Sequence, residues 1–327
     1  MDITQSETLF DHFIKSPDGN NRHVIIVTDC EPDDMIAIAY LVPELYKRKI
    51  QFQIVVSCWS DIVTKAKFMH QFLAQSFNDI GVEIFMGMPT CKTYNITPIV
   101  QSSEMTFRKW PEANWSKCFL IQLAPIQELM VMHQNKSVNF KEITMAIYGS
   151  FNIRSILANK SSIIIDVIDC LKQFQQVLFY ETYFATDPIQ FSTGEIDIIS
   201  SIASVYPLIG QLIDLWNDCI KTELQYSTNK RALAIIDSIS KCSKQFVNAD
   251  TGLIATMLLP LNEIRKHLFA VNAISFDKIT FYTLPGTIKP LSFEMNEQMI
   301  MVHYDGNADM KSELFKKHCE FYSQYNN

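Results

Sequence analysis

The chain has 327 residues, 48% of them hydrophobic and 19% charged, and 28 Lys and Arg against 35 Asp and Glu give a net charge of −7. That composition supplies a large apolar core and excludes a disordered chain, while the acidic balance excludes a nucleic-acid-wrapping protein, which needs a basic excess to neutralise phosphates. The longest uninterrupted apolar stretch, residues 35–42, is far too short to span a bilayer, so no membrane association is expected.

The first twenty residues mix Asp2, Glu7, Asp11, His12 and Lys15 with apolar positions and lack the basic start and apolar middle of a signal peptide. Eight cysteines without a C-x-x-C pair fit a reducing compartment, so a cytoplasmic location with free thiols is expected.

From there the pattern alternates. A β-branched strand over 23–28 leads into a helix over 32–45, with Met35, Ile36, Ile38, Ala39, Leu41 and Val42 at helical spacing. Strand 52–58, helix 62–77 and strand 83–86 follow, then a loop region to 117, strand 118–123, helix 125–133, strand 142–147, helix 164–174 and strand 176–184. The second half is more helical, with helices expected at 196–203, 208–224, 230–240 and 251–259. A hairpin over 276–284 and 289–293, a strand over 298–302 and a closing helix over 310–322 complete the order. Strands alternating with helices predict an α/β fold, a Rossmann-like open, mostly parallel sheet with helices on both faces. No linker or repeat interrupts it, so residues 1–327 read as one domain with a more helical part at about 196–270.

Ligands of open parallel sheets bind beyond the carboxyl ends of the strands. The segment Val27-Thr28-Asp29-Cys30-Glu31-Pro32-Asp33-Asp34 puts four carboxylates into six residues at such an end. Two of them 4 Å apart repel by roughly 4 kcal/mol at an effective dielectric of 20, and the helix start offsets about 1 kcal/mol. Successive helical residues point about 100° apart, so one of Asp33 and Asp34 is expected to face a metal and the other a ligand. A hard cation relieves the repulsion, and an all-oxygen set selects calcium or magnesium over zinc. The plainer alternative is an acidic helix start that only complements the dipole. Two distant turns join this picture: Leu123-Ala124-Pro125-Ile126-Gln127-Glu128-Leu129, and Asn248-Ala249-Asp250-Thr251-Gly252, where a lone aspartate opens an apolar helix.

Together the three segments resemble the nucleoside hydrolase family, calcium-dependent enzymes that cleave purine or pyrimidine ribonucleosides into base and ribose. Asp29, Asp33 and Asp34 match the last three acids of its D-x-D-x-x-x-D-D opening. Residues 124–129 resemble its G-P-L-T-N-L turn, Ala249-Asp250 its terminal H-D helix start, and Tyr148-Gly149-Ser150-Phe151-Asn152-Ile153 a compressed form of its M-G-G and E-F-N-I elements. Residues 281–293 and 310–321 resemble its closing strands and last helix. The resemblance implies calcium held by Asp29, Asp34, Asp250 and the Gln127 carbonyl, with Asp33 and Asn152 contacting ribose. It further implies hydrolysis of an N-glycosidic bond by a calcium-held water whose proton Asp29 accepts.

Three positions depart from the pattern. Val27 stands where the family has its first aspartate, Ala249 where some members have a histidine that helps protonate the leaving base, and Ser150 where a glutamate contacts ribose. They motivate an alternative, a catalytically weak or inactive ribose- or nucleoside-binding or interaction protein on the same fold. Trp59 at the end of the second strand, beside Asp61, is placed to stack on a base. Glu181 is a further carboxylate, expected at a sheet edge facing water, and Tyr148 and Asn248 lie near motif positions. The seven histidines show no paired ligand spacing, which argues against zinc, and Lys47-Arg48-Lys49 reads as a solvated helix end. The expected partner is a small nucleoside or ribosyl substrate, with no nucleic acid or membrane, and family members often form homo-oligomers.

Overall fold

The computed structural model describes residues 7–57, 61–79, 81–87, 96–101, 104–110, 115, 117–149, 170–171, 173–182, 200–225, 250–260, 278–281, 291–294 and 299–304. Its frame is an open sheet of β1 (His23–Thr28), β2 (Phe52–Val56), β3 (Ile84–Met86), β4 (Arg108–Lys109), β5 (Cys118–Gln122), β6 (Thr144–Gly149), β7 (Gln176–Thr182) and β10 (Met299–Tyr304). The spatial order is β10-β7-β6-β5-β1-β2-β3-β4, and every pairing is parallel. The chain runs outward from β1 through β2, β3 and β4, then returns to place β5 on the other side of β1. That reversal makes the β1/β5 boundary the switch point of the sheet, where the mouth of such folds opens.

Strand residues alternate between faces, and the core divides accordingly. Val24, Ile26, Ile54, Val56, Phe119 and Ile121 belong to one buried cluster, and Ile25, Val27, Val55, Phe85, Leu120 and Met145 to the other. The first face is covered by α1 (Leu9–Ile14), α2 (Pro32–Lys47), α3 (Ile62–Phe77), α5 (Pro207–Gln225) and α6 (Asp250–Leu258). The second carries α4 (Gln127–Gln134), through Leu129 and Met132. Helices change sides at the switch point, as the reversal of strand order requires.

Two elements escape the sequence pattern. Helix α1 is only six residues long, with a Thr8/Asp11 capping box at its start, and it stacks Phe13 on Phe119 at 6.0 Å between ring centroids and sets Phe10 tilted against the same ring at 5.9 Å. Strand β4 lies within the expected loop and has just two residues. The hairpin forms between β8 (Lys278–Phe281) and β9 (Leu291–Glu294), as expected, and pairs antiparallel outside the main sheet. Helices expected at 230–240 and 310–322, and most of 164–174, lie outside the described residues.

Some placements correct the sequence reading. Glu181 pairs with Gly149 of β6 on one side and His303 of β10 on the other, so it lies in an interior strand. The added neighbour β10 arrives from far along the chain. Arg48 is more than a solvated helix end: its guanidinium pairs with Asp11 and Glu44 and lies 5.2 Å above the Phe10 ring, tying α1 to α2. At the N-terminal end of the sheet, buried Arg22 donates to the carbonyls of Lys15 and Glu142 and to Gln175 Oε1, joining the starts of β1, β6 and β7. Among the described residues Cys30, Cys118, Cys170 and Cys219 form no disulfide, and burial pushes the Cys118 and Cys170 thiols up to about 12. No helix among the described residues is long and apolar enough to cross a membrane.

Candidate functional site

At the C-terminal end of β1 the chain turns sharply into α2. Thr28 Oγ1 donates to Asp34 Oδ1 at 2.6 Å and accepts from the Cys30 amide at 2.9 Å, while the Asp29 amide donates to the same Asp34 oxygen at 3.2 Å. Cys30 adopts φ 57°, a left-handed conformation that costs a non-glycine residue roughly 1 kcal/mol and concentrates at functional turns. These bonds fix Asp34, which is 2% exposed, at the first turn of α2. Pro32 at the helix start supplies the fixed φ that suits that position.

Helix α6 brings in the third carboxylate. It is buried along its whole length, an apolar helix packed on α2, and its first residue is Asp250. Burying such a helix carries Asp250 into the interior at 2% exposure. One carboxylate oxygen from each of Asp33, Asp34 and Asp250 lies within 4.8 Å of the others. Asp250 Oδ1 is buried without a hydrogen-bond partner among the described residues. Each ionised pair at that separation repels by roughly 3 kcal/mol at an effective dielectric of 20.

The protonation equilibria follow. Burial, reinforced by Asp33, raises Asp34 to about 7 against the hydrogen bond from Thr28. Burial and then the charge of Asp29 raise Glu31 to about 7, with Lys65 opposing. Burial pushes Asp33 and Asp250 well above the ordinary carboxylate value, with Glu31 and Asp29 adding to the first and Asp34, Asp33 and Asp29 to the second. A cation among these oxygens reverses that balance, and an orphaned buried carboxylate oxygen is the kind of donor it takes. The residues present fit a hard divalent ion.

The cluster brings together Asp33, Asp34 and Asp250. Asp29 is buried beside them, its carboxylate acting through its charge on Asp33 and Asp250. Gln127 is the first residue of α4. Asp61 is exposed at the N-cap of α3 with φ 53°. Trp59, Asn152, Ser150, Asn248 and Ala249 lie outside the described residues.

Sequence reasoning missed two polar groups at the same strand ends. Lys65, on the buried stripe of α3, donates from Nζ to the Asp29 carbonyl at 2.5 Å. On the opposite face, Glu128 is 2% exposed and its Oε2 accepts from Ser57 Oγ at 2.6 Å. A Cβ at Gly87 would clash with that oxygen, so any larger residue there makes the Glu128 carboxylate shift. The available signal for Lys65 was a lysine at the spacing of core positions, next to Ala66, Phe68 and Met69.

Strand order and switch point define an open, all-parallel α/β fold with an acidic cluster at its mouth. Among solved structures the chain is similar to the crystal structure of the effector protein XOO4466, with TM-score 0.55 and 11% identity over 95% of both chains. It is also similar to the type III effector protein XopQ, crystallised in complex with adenosine diphosphate ribose, with TM-score 0.52 and 11% identity over 95% of both chains. At that identity the likeness establishes the fold. No protein-family model matches the sequence, and a search of the curated proteins returns no match.

Proposed function

We propose that this chain binds a ribosyl compound at the mouth of its sheet beside a divalent cation and hydrolyses the N-glycosidic bond to free base and ribose. The observation that carries this reading is the meeting of Asp33, Asp34 and Asp250, from two helix starts far apart in sequence, around a buried carboxylate oxygen without a partner among the described residues. These three residues would hold the cation, and their oxygen donors suit calcium or magnesium. When bound, it supplies a Lewis acid that makes water a better nucleophile.

The chain's own groups do the rest. Asp33 is half-buried where its neighbour Asp34 is enclosed, which leaves it able to accept hydrogen bonds from ribose hydroxyls as well. Asp29 accepts the proton of the attacking water. Negative charge around the sugar stabilises the oxocarbenium-like character that develops as the bond breaks. Adenosine diphosphate ribose in XopQ is a ribosyl compound held on the same fold, which supports that ligand class here.

A second reading, ribosyl binding without turnover, is favoured by Val27. Its side chain is 2% exposed within the apolar cluster under α4, so no carboxylate is supplied from that position. Free ribose measured over a panel of purine, pyrimidine and nicotinamide ribosides, with calcium and with chelator, separates the two. Metal-dependent release from the wild type and none from Asp34→Ala supports hydrolysis. Saturable binding without release supports the second reading, and neither binding nor release overturns both.

A further inference from the structure

Lys65 and Arg22 are the fully buried basic side chains among the described residues, and they lie at opposite ends of β1. Lys65 grips the acidic turn at two points. Its Nζ donates to the Asp29 carbonyl at 2.5 Å, and its own carbonyl lies 3.9 Å from Cys30 Sγ. The bond to Asp29 holds the ammonium against the turn that carries Asp29, Glu31, Asp33 and Asp34. The stem is enclosed by the stripe of α3 that also buries Ala66, Phe68, Met69 and Phe72. A lysine at a core position costs desolvation and side-chain entropy, and charge compensation of nearby carboxylates is what offsets that cost.

We propose that Lys65 is a positioning residue of the acidic site, a built-in cation that clasps the Asp29–Cys30 main chain and offsets the carboxylates of the turn, so that the turn keeps its shape before any metal arrives. The inference rests on the reading of the cluster as a divalent-cation site only for its metal arm. Its electrostatic arm stands without a metal. With Lys65 in place the turn has an internal positive charge against it, and an incoming ion adds to that compensation. Without it, repulsion within the turn goes unrelieved until an ion binds, and the ion then stabilises the fold by more.

The test is thermal unfolding of the full chain, in chelator and across a calcium titration, for wild type, Lys65→Met, Glu31→Gln and the double variant. Methionine keeps the stem and removes the charge. Lys65→Met is expected to lower the melting temperature in chelator by about 5 °C. Calcium is expected to raise the melting temperature of Lys65→Met by more than it raises that of the wild type. Glu31→Gln, which removes one carboxylate of the same turn, is expected to restore much of the loss, and to return a folded protein if Lys65→Met alone does not fold. A loss in chelator that Glu31→Gln leaves untouched reveals a packing role only and overturns the proposal, as does a calcium shift equal to that of the wild type. If calcium stabilises none of the four proteins, the metal-site reading fails, while rescue by Glu31→Gln still decides the role of Lys65.

Discussion

At the N-terminal end of β1 the Arg22 guanidinium is buried among three neutral acceptors, the Lys15 and Glu142 carbonyls and Gln175 Oε1. At its C-terminal end the carboxylates of Asp33, Asp34 and Asp250 crowd together beside buried Asp29, and among the described residues Asp250 Oδ1 has no hydrogen-bond partner and Lys65 is the one buried lysine at the turn. One strand six residues long thus carries two kinds of buried charge. The lower one is satisfied by oxygens that bear no charge, and it joins three strand starts. The upper one is left short of positive charge, and the fold tolerates this because helices α2 and α6 both aim their N-termini at it. Satisfied charge stabilises the frame, whereas unsatisfied like charge marks where a ligand belongs.

Substitutions at the two ends should therefore separate metal response from stability. Asp34→Ala removes the residue that Thr28 and the Asp29 amide both hold, and it should weaken calcium binding by at least about a hundredfold and abolish ribose release. Titration calorimetry and the riboside panel read both outcomes. Retained turnover would break the contrast at its upper end. Arg22→Met leaves the Glu142 carbonyl and Gln175 Oε1 without their donor and should cost about 3–5 kcal/mol in urea unfolding, with calcium affinity unchanged.

Gly87→Ala tests the opposite face of the same strand ends. The new methyl displaces the Glu128 carboxylate from Ser57 and should cost about 1–3 kcal/mol of stability, read in the same urea titration. The smallest effect is expected from His12, whose imidazole burial pushes below the usual 6.5. Because the folded value lies below the unfolded one, the unfolded chain takes up the proton first. Its contribution to stability is present above pH 6.5 and is lost as the pH falls through 6.5 towards the folded value. The difference between wild type and His12→Gln across pH 8 to 5 isolates that slope.

Much of the frame was legible because it is written in short-range pattern. The bounds read for β1 and α3 coincide with those of the structure, since β-branched runs and helical spacing carry their own edges. Helix α1 was not legible, because six residues hold too few turns for a period and its stability comes from the distant Phe119 and Arg48. The interior position of Glu181 depends on β10, which joins from the far end of the chain. At the site, Asp29, Asp33, Asp34 and Asp250 stood out as carboxylates at strand ends and helix starts. The sharing of one cluster by Asp33 and Asp34 did not, because it depends on where α6 docks. Lys65 and Glu128 were hidden for the same reason, their partners being the Asp29 carbonyl and Ser57.

The most direct test is calorimetric titration of calcium into the metal-free wild-type chain and into Asp250→Asn, a substitution that keeps the size of the orphaned carboxylate and removes its charge. The account predicts one saturable ion per chain in the wild type and its loss in a variant that remains folded by circular dichroism. Equal affinity in the two proteins, or no binding of calcium or magnesium to the wild type, would contradict it.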